Sequence, residues 1–169
     1  MDTIEAVINF LRDNKLVLTT AESCTAGLQA SMLADHPGCG SVFESGYVVY
    51  APRAKRTCLA VSAQTIKTFG LTSEEVAREM ATGALKISGA NLVVANTGKA
   101  DSNDELKGVV CFAYAVRFGE RISVISETVR FSGSRNEVRT AAARHGLLRL
   151  PLCYEHLLST TPEVGARAH

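Results

Sequence analysis

The chain has 169 residues, 46% apolar and 21% charged, which suffices to bury the core of one domain and leaves no need for a second. Its formal net charge is +1 with both signs mixed along the chain, which argues against a duplex-binding stripe or a membrane-surface face, so nucleic acid is not an expected partner. No stretch reaches the length of a membrane span, and the N-terminus, with Asp2 and Glu5, is unlike a signal peptide.

Five cysteines, Cys24, Cys39, Cys58, Cys111 and Cys153, form no C-x-x-C pair and have no histidine at ligand spacing. They read as reduced thiols in a cytoplasmic protein, with no metal or cofactor expected.

Ile4, Val7, Ile8 and Leu11 recur at helical spacing and predict an amphipathic helix over 3–13. Leu16, Val17 and Leu18 open a short buried strand, expected over 16–20, and Leu28, Ala30, Met32 and Leu33 supply the apolar content of a helix over 25–34. Between them lies Thr19-Thr20-Ala21-Glu22-Ser23-Cys24-Thr25-Ala26-Gly27, a strand-to-helix bend rich in hydroxyls. Two readings of the bend are compatible. Ser23 or Thr25 can serve as the helix N-cap, and a hydroxyl beside unpaired backbone N–H groups is also what an acyl-transfer nucleophile and its oxyanion require. Cys24 is a second nucleophile candidate, because a thiol near a helix N-terminus can have a lowered pKa; it ranks below Ser23 for want of a nearby histidine in the sequence.

His36 to Ser41, with one Pro and two Gly, reads as a loop. Val42 to Tyr50 predicts a second strand, bulged at Gly46, and Pro52 suits the first turn of a short helix carrying Arg53, Lys55 and Arg56. A brief helix is expected within 61–70. Thr72 and Glu75 fit a capping box that opens a helix along Val76, Met80, Ala84 and Ile87, stopped by Gly89.

Leu92 to Ala95 is a fully apolar strand of the kind buried on both faces of a parallel sheet, leading into a turn at Asn96-Thr97-Gly98. A polar loop over 99–107 carries Asp101, Asp104 and Glu105. Two further strands, 109–116 and 122–131, are joined by a short turn and predict an antiparallel hairpin. Ser134 and Glu137 form another capping box, opening a helix that runs toward Leu158 with a break at Pro151. The expected domain is 1–160, with 161–169 as a frayed tail.

Helices separate the first three strands, so right-handed crossovers make them parallel and gather their carboxyl ends on one edge, where ligands bind in open sheets. Three polar turns meet there: 21–25, 50–55 and 96–98. A serine at neutral pH needs a base, and Lys55, desolvated and beside Arg53 or Arg56, is the candidate, with Tyr50 relaying or orienting. On residue pattern alone a solvated lysine and a core-packed tyrosine are the commoner cases. Glu22 can hold Lys55, orient substrate, or simply answer the helix dipole. Thr97-Gly98 reads equally as an ordinary turn or a substrate anchor. Arg135 and Arg139, at a helix start, are candidate phosphate ligands, although exposed arginines beside a capping box are the commoner case.

The motifs resemble the family built on the C-terminal domain of the competence/damage-inducible protein CinA. Ala21-Glu22-Ser23-Cys24-Thr25-Ala26-Gly27 is similar to its A-E-S-C-T-G-G, and Phe43 to Tyr50 followed by Ala54-Lys55 is similar to F-x-x-G-x-V-x-Y-x-x-x-A-K. Ser73 to Ala84 resembles S-E-E-V-x-x-x-M-A-x-G-A, so the resemblance runs from about Leu16 to Leu150.

The resemblance implies a three-layer α/β/α sandwich on a mixed, mostly parallel five-stranded sheet whose penultimate strand is antiparallel. It also implies metal-free hydrolysis of the carboxamide of nicotinamide mononucleotide by Ser23, activated by Tyr50 and Lys55. The oxyanion would sit on N–H groups at the following helix start. Read from the turns and the helix start themselves, Glu22, Cys24, Thr25, Thr97, Gly98, Arg135 and Arg139 are the expected substrate contacts, and the resemblance implies a cytoplasmic homodimer. One stretch departs: where the family shows T-G-x-A-G-P and a glycine-rich segment, Thr97-Gly98 is followed here by Lys99-Ala100-Asp101-Ser102-Asn103-Asp104-Glu105-Leu106-Lys107-Gly108. Side chains and three carboxylates there would repel a phosphate, which leaves a catalytically impaired binder of a nucleotide or protein as the alternative.

Overall fold

The computed structural model describes residues 2–161; the expectation of a frayed tail falls, apart from Thr161, outside the described residues. Helix α1 (Ile4–Asp13) starts where Thr3 accepts a hydrogen bond from the Ala6 N–H, and its predicted apolar stripe is buried. Removing each of those aliphatic side chains from water contributes roughly 2 kcal/mol. Strand β1 (Leu18–Glu22) lies two residues later than the apolar run predicts and is buried throughout. Threonine and glutamate therefore occupy positions that composition would assign to solvent.

After β1 come α2 (Leu28–Ala34), a single 3-10 turn at Cys39–Ser41, β2 (Phe43–Val48) and α3 (Pro52–Leu59), with Pro52 in the first turn as expected. The irregularity in β2 falls at Glu44, which the register against β1 skips between Phe43 and Ser45, and not at Gly46. Helix α4 (Ala63–Phe69) fills the expected brief segment. Helix α5 (Glu74–Ile87) is capped by Ser73 alone, because the third helical residue is Val76, so the Thr72/Glu75 box does not form.

Strand β3 (Leu92–Gly98) continues through the expected turn, since Asn96, Thr97 and Gly98 all pair with β4 (Val109–Phe118). Strand β5 (Arg121–Arg130) completes the hairpin. Helix α6 (Arg135–Thr160) opens with the predicted Ser134/Glu137 box but runs on through Pro151 without a break. Packing of Leu147, Leu150, Cys153 and Leu157 on the sheet holds both sides of that proline in one line.

The sheet order is β2-β1-β3-β4-β5, with β2, β1 and β3 parallel and β4 antiparallel to both its neighbours. Helices α1, α2 and α6 cover one face, and α3, α4 and α5 the other. The three-layer mixed sandwich is thus as expected. Gly83 lets α3 and α5 approach: a Cβ there would strike the Leu59 carbonyl, so only glycine seats the helix that carries Lys55. No helix of the described residues is long and apolar enough to cross a membrane.

Candidate active site

Alternation along β1 sends consecutive side chains to opposite faces. Thr20 and Glu22 turn to the α2 side, where the Thr20 hydroxyl donates to Glu22 at 3.1 Å. Ala21 packs with the α3–α5 layer, and Ser23, next in the alternation, faces that same layer.

Lys55 arrives from there. It precedes Leu59 by one helical turn, so the face that buries Leu59 buries Lys55, leaving it 1% exposed. Its Nζ donates to Ser23 Oγ at 2.8 Å and to the main-chain carbonyls of Val49 and Tyr50 at 2.8 and 3.0 Å. Among the described residues no carboxylate forms an ion pair with it. Burial lowers its pKa from 10.5 to about 8, against a smaller opposing electrostatic effect of Cys24. The exposed side chains of Arg53 and Arg56 take no part in that shift, contrary to the expectation that neighbouring cations drive it.

An amine with three acceptors around it can serve as a base, because only two of them need its protons. When Lys55 is neutral, its two N–H bonds satisfy the carbonyls and its lone pair is left for the Ser23 hydroxyl. The fold therefore sets a lysine that gives up its proton near pH 8 against a serine that is 6% exposed.

The bend is not the N-cap expected of Ser23 or Thr25. Helix α2 begins only at Leu28, and the groups that would lack acceptors at its start are taken by Glu22: Oε1 accepts from the Gly27 and Gln29 N–H groups at 3.1 and 3.0 Å, and Oε2 from Ala30 at 3.1 Å. The carboxylate reaches the helix from the preceding strand and answers its dipole, and it does not hold Lys55. Thr25 donates to Glu22 at 2.7 Å and accepts from Asn96 Nδ2 at 2.9 Å. Asn96 also donates to Gln29 at 3.1 Å, and its carbonyl oxygens receive the Ser23 N–H. Glu22, Thr25, Gln29 and Asn96 are fully buried, so this network fixes the bend within the fold. Gln29 and Asn96 were not expected at the site. An amide side chain directly after the apolar run Leu92 to Ala95 is the signal that marks Asn96.

Ala26 adopts φ of 48° and Gly27 φ of 93°, so the bend needs two left-handed residues in succession. A glycine suits both, and Ala26 sits there at a cost of roughly 1 kcal/mol. Cys24 is 5% exposed and donates to Asn96, and burial pushes its thiol up to about 11, opposite to the activated thiolate considered from the sequence.

The remaining expected residues divide. The Tyr50 hydroxyl accepts from Arg135 at 2.9 Å on a ring 55% exposed; no hydrogen bond among the described residues joins it to Ser23 or Lys55, and its main-chain carbonyl is what supports the amine. Thr97 is buried and donates to the Leu71 carbonyl at 2.8 Å, while Gly98 lies in β3 against the β4 backbone. Arg139 donates from Nε and Nη2 to the carbonyls of Cys24 and Thr25 at 2.9 and 3.2 Å, and so holds the bend. The 99–107 loop is ordered around Asp104, which receives Lys99, Ser102 and the Leu106 N–H; Arg130 donates to its carbonyls at Glu105 and Lys107. Among the described residues no cluster of His, Cys, Asp or Glu is suited to a metal ion.

The model of the CinA C-terminal domain matches residues 2–153. The chain belongs to that family. It is 43% identical over 146 residues to a CinA-like protein of Chlorobium phaeobacteroides, covering 82% of this chain and 35% of the relative. It is 40% identical over 152 residues to a competence-damage inducible protein of Symbiobacterium thermophilum, covering 85% and 36%. The chain thus spans about a third of the length of the curated relatives it matches. Among solved structures, the competence/damage inducible protein CihA of Agrobacterium tumefaciens superposes with a TM-score of 0.83 at 36% identity, covering 89% of this chain and 93% of that one. A CinA-superfamily protein of Klebsiella pneumoniae gives 0.82 at 31%, covering 92% and 96%. As a CinA-family domain, the chain carries its Ser23-Lys55 pair on a fold that its relatives share.

Proposed function

We propose that this CinA-family domain is an amidohydrolase that removes ammonia from the carboxamide of nicotinamide mononucleotide, leaving nicotinate mononucleotide. The observation that carries the reading is the 2.8 Å contact between Ser23 Oγ and a buried Lys55 that has no carboxylate partner among the described residues. In the proposed cycle neutral Lys55 takes the Ser23 proton as Oγ adds to the amide carbon, giving a tetrahedral oxyanion. The N–H groups of Cys24 and Thr25, which have no acceptor among the described residues, are the donors proposed for that oxyanion. Lys55 then returns the proton to the departing nitrogen and ammonia leaves. The acyl group left on Ser23 is then hydrolysed: Lys55 takes a proton from water as the water oxygen adds to the acyl carbon, and gives it to Ser23 Oγ as the carbon–Oγ bond breaks and the acid leaves.

Ammonia release from nicotinamide mononucleotide by the purified protein tests this. Wild-type turnover that Ser23→Ala and Lys55→Met each lower by at least about a thousandfold is the expected result. Turnover indifferent to Ser23→Ala removes the serine from the mechanism. The acidic, ordered 99–107 loop favours a second reading, a domain that binds a nucleotide or protein without turning it over. Clear turnover eliminates that alternative.

A further inference from the structure

Arg139 sits one turn into α6, on the far side of the sheet from Lys55, yet it is bound to the nucleophile's own loop. Its Nε meets the Cys24 carbonyl at 2.9 Å and its Nη2 the Thr25 carbonyl at 3.2 Å, while Nη1 is steered by Asn136 Oδ1 at 3.3 Å. The planar edge of the guanidinium that would grip a phosphate is therefore spent on two consecutive peptide carbonyls. Arg135, one turn earlier, is turned instead to the Tyr50 hydroxyl.

A trans peptide points its N–H opposite to its C=O. With the Cys24 carbonyl drawn toward α6, the N–H of Thr25 is directed away from α6, toward the sheet face from which Lys55 reaches Ser23. The next peptide is locked as well: its carbonyl is held by Arg139 and its N–H, on Ala26, donates to the Ser23 carbonyl at 3.1 Å. Two successive left-handed residues follow, a conformation that needs outside support. From α6 Arg139 supplies it directly, at the bend's own carbonyls, while the Ala143 carbonyl reaches the network through Gln29; Glu22 and Asn96 act from the sheet.

We infer that Arg139 is a positioning residue, which aims the Thr25 N–H at the oxyanion by clamping the Cys24 and Thr25 carbonyls, and is not a phosphate ligand. The inference rests on Ser23 being the nucleophile, and its test keeps the two apart. Two rates are measured on the purified protein: steady-state ammonia release from nicotinamide mononucleotide, and covalent labelling of Ser23 by a fluorophosphonate, read by intact mass, in which the phosphonyl oxygen takes the oxyanion's place.

For Arg139→Gln the expected result is a fall of about tenfold or more in both kcat and labelling rate, with KM and the pH midpoint of labelling unchanged. Arg139→Lys, which keeps the charge but reaches only one carbonyl, is expected between the two and serves if the glutamine variant does not fold. A KM raised about tenfold with kcat kept makes Arg139 a substrate ligand and overturns the inference. Labelling at the wild-type rate in both variants overturns it too, while leaving the amidase reading intact. A wild-type chain that neither labels at Ser23 nor releases ammonia ends both.

Discussion

Lys55 touches Ser23 at 2.8 Å through the same nitrogen that donates to the carbonyls of Val49 and Tyr50, and no ion pair accompanies it among the described residues. A buried amine bonded to neutral oxygens is easier to deprotonate than one facing a carboxylate, because burial penalises only its charged form. Its pKa of about 8 places the change of state close to physiological pH.

On the proposed mechanism catalysis is expected to rise with pH. The competent form has neutral Lys55, so kcat/KM is expected to increase about tenfold per pH unit below the midpoint and to level off above about pH 8. A profile of initial rates against pH checks this. Activity that is flat down to about pH 6 would mean that Lys55 is not the base.

The same group imposes a dependence on stability. Between about 8 and 10.5 the unfolded chain holds the Lys55 proton and the folded chain does not, so this group's contribution to stability is complete above 10.5 and is lost as pH falls through 8. Cys24 and Cys153, raised to about 11 and 12, act in the opposite direction, but they are common to wild type and Lys55→Met. Stability of the wild type minus that of Lys55→Met is expected to rise by about 1 kcal/mol between about pH 7 and pH 9 in urea titrations. A constant difference would show that Lys55 keeps an ordinary pKa in the fold.

Glu22 predicts a structural loss. Glu22→Gln places an amide N–H₂ against the N–H groups of Gly27, Gln29 or Ala30 and leaves at least one buried donor without an acceptor. The cost is about 2–3 kcal/mol in chemical denaturation, with activity reduced because the bend carries Ser23. Wild-type stability in this variant would mean that the capping bonds contribute nothing net.

Tyr50 predicts a small effect where a large one is natural to expect. Its support of Lys55 comes through a main-chain carbonyl, so Tyr50→Phe is expected to leave the pH midpoint of catalysis in place and to change stability by less than about 1 kcal/mol, losing only the exposed bond from Arg135. A displaced midpoint would put the hydroxyl on the proton's path.

Much of this was legible in the residues. Apolar periodicities located α1, the sheet strands and α5, although they set β1 two residues early and so left Glu22 in the bend. Leu59 one turn beyond Lys55 marks the lysine as inward-facing, a signal that the surrounding basic residues conceal. These are short-range facts, written in the spacing of neighbours along one helix or strand.

What the chain order did not disclose is which polar groups complete one another. Asn96 meets Ser23 across 73 positions and Arg139 meets Cys24 across 115, and both contacts exist only because the sheet runs β2-β1-β3 and α6 returns across its face. The extension of β3 through Asn96-Thr97-Gly98 and the unbroken course of α6 through Pro151 were likewise settled by pairing and packing over local preference. Hydrophobic spacing says where a segment is buried; a hydrogen bond needs two groups within about 3 Å in a set direction, and only the assembled layers supply that.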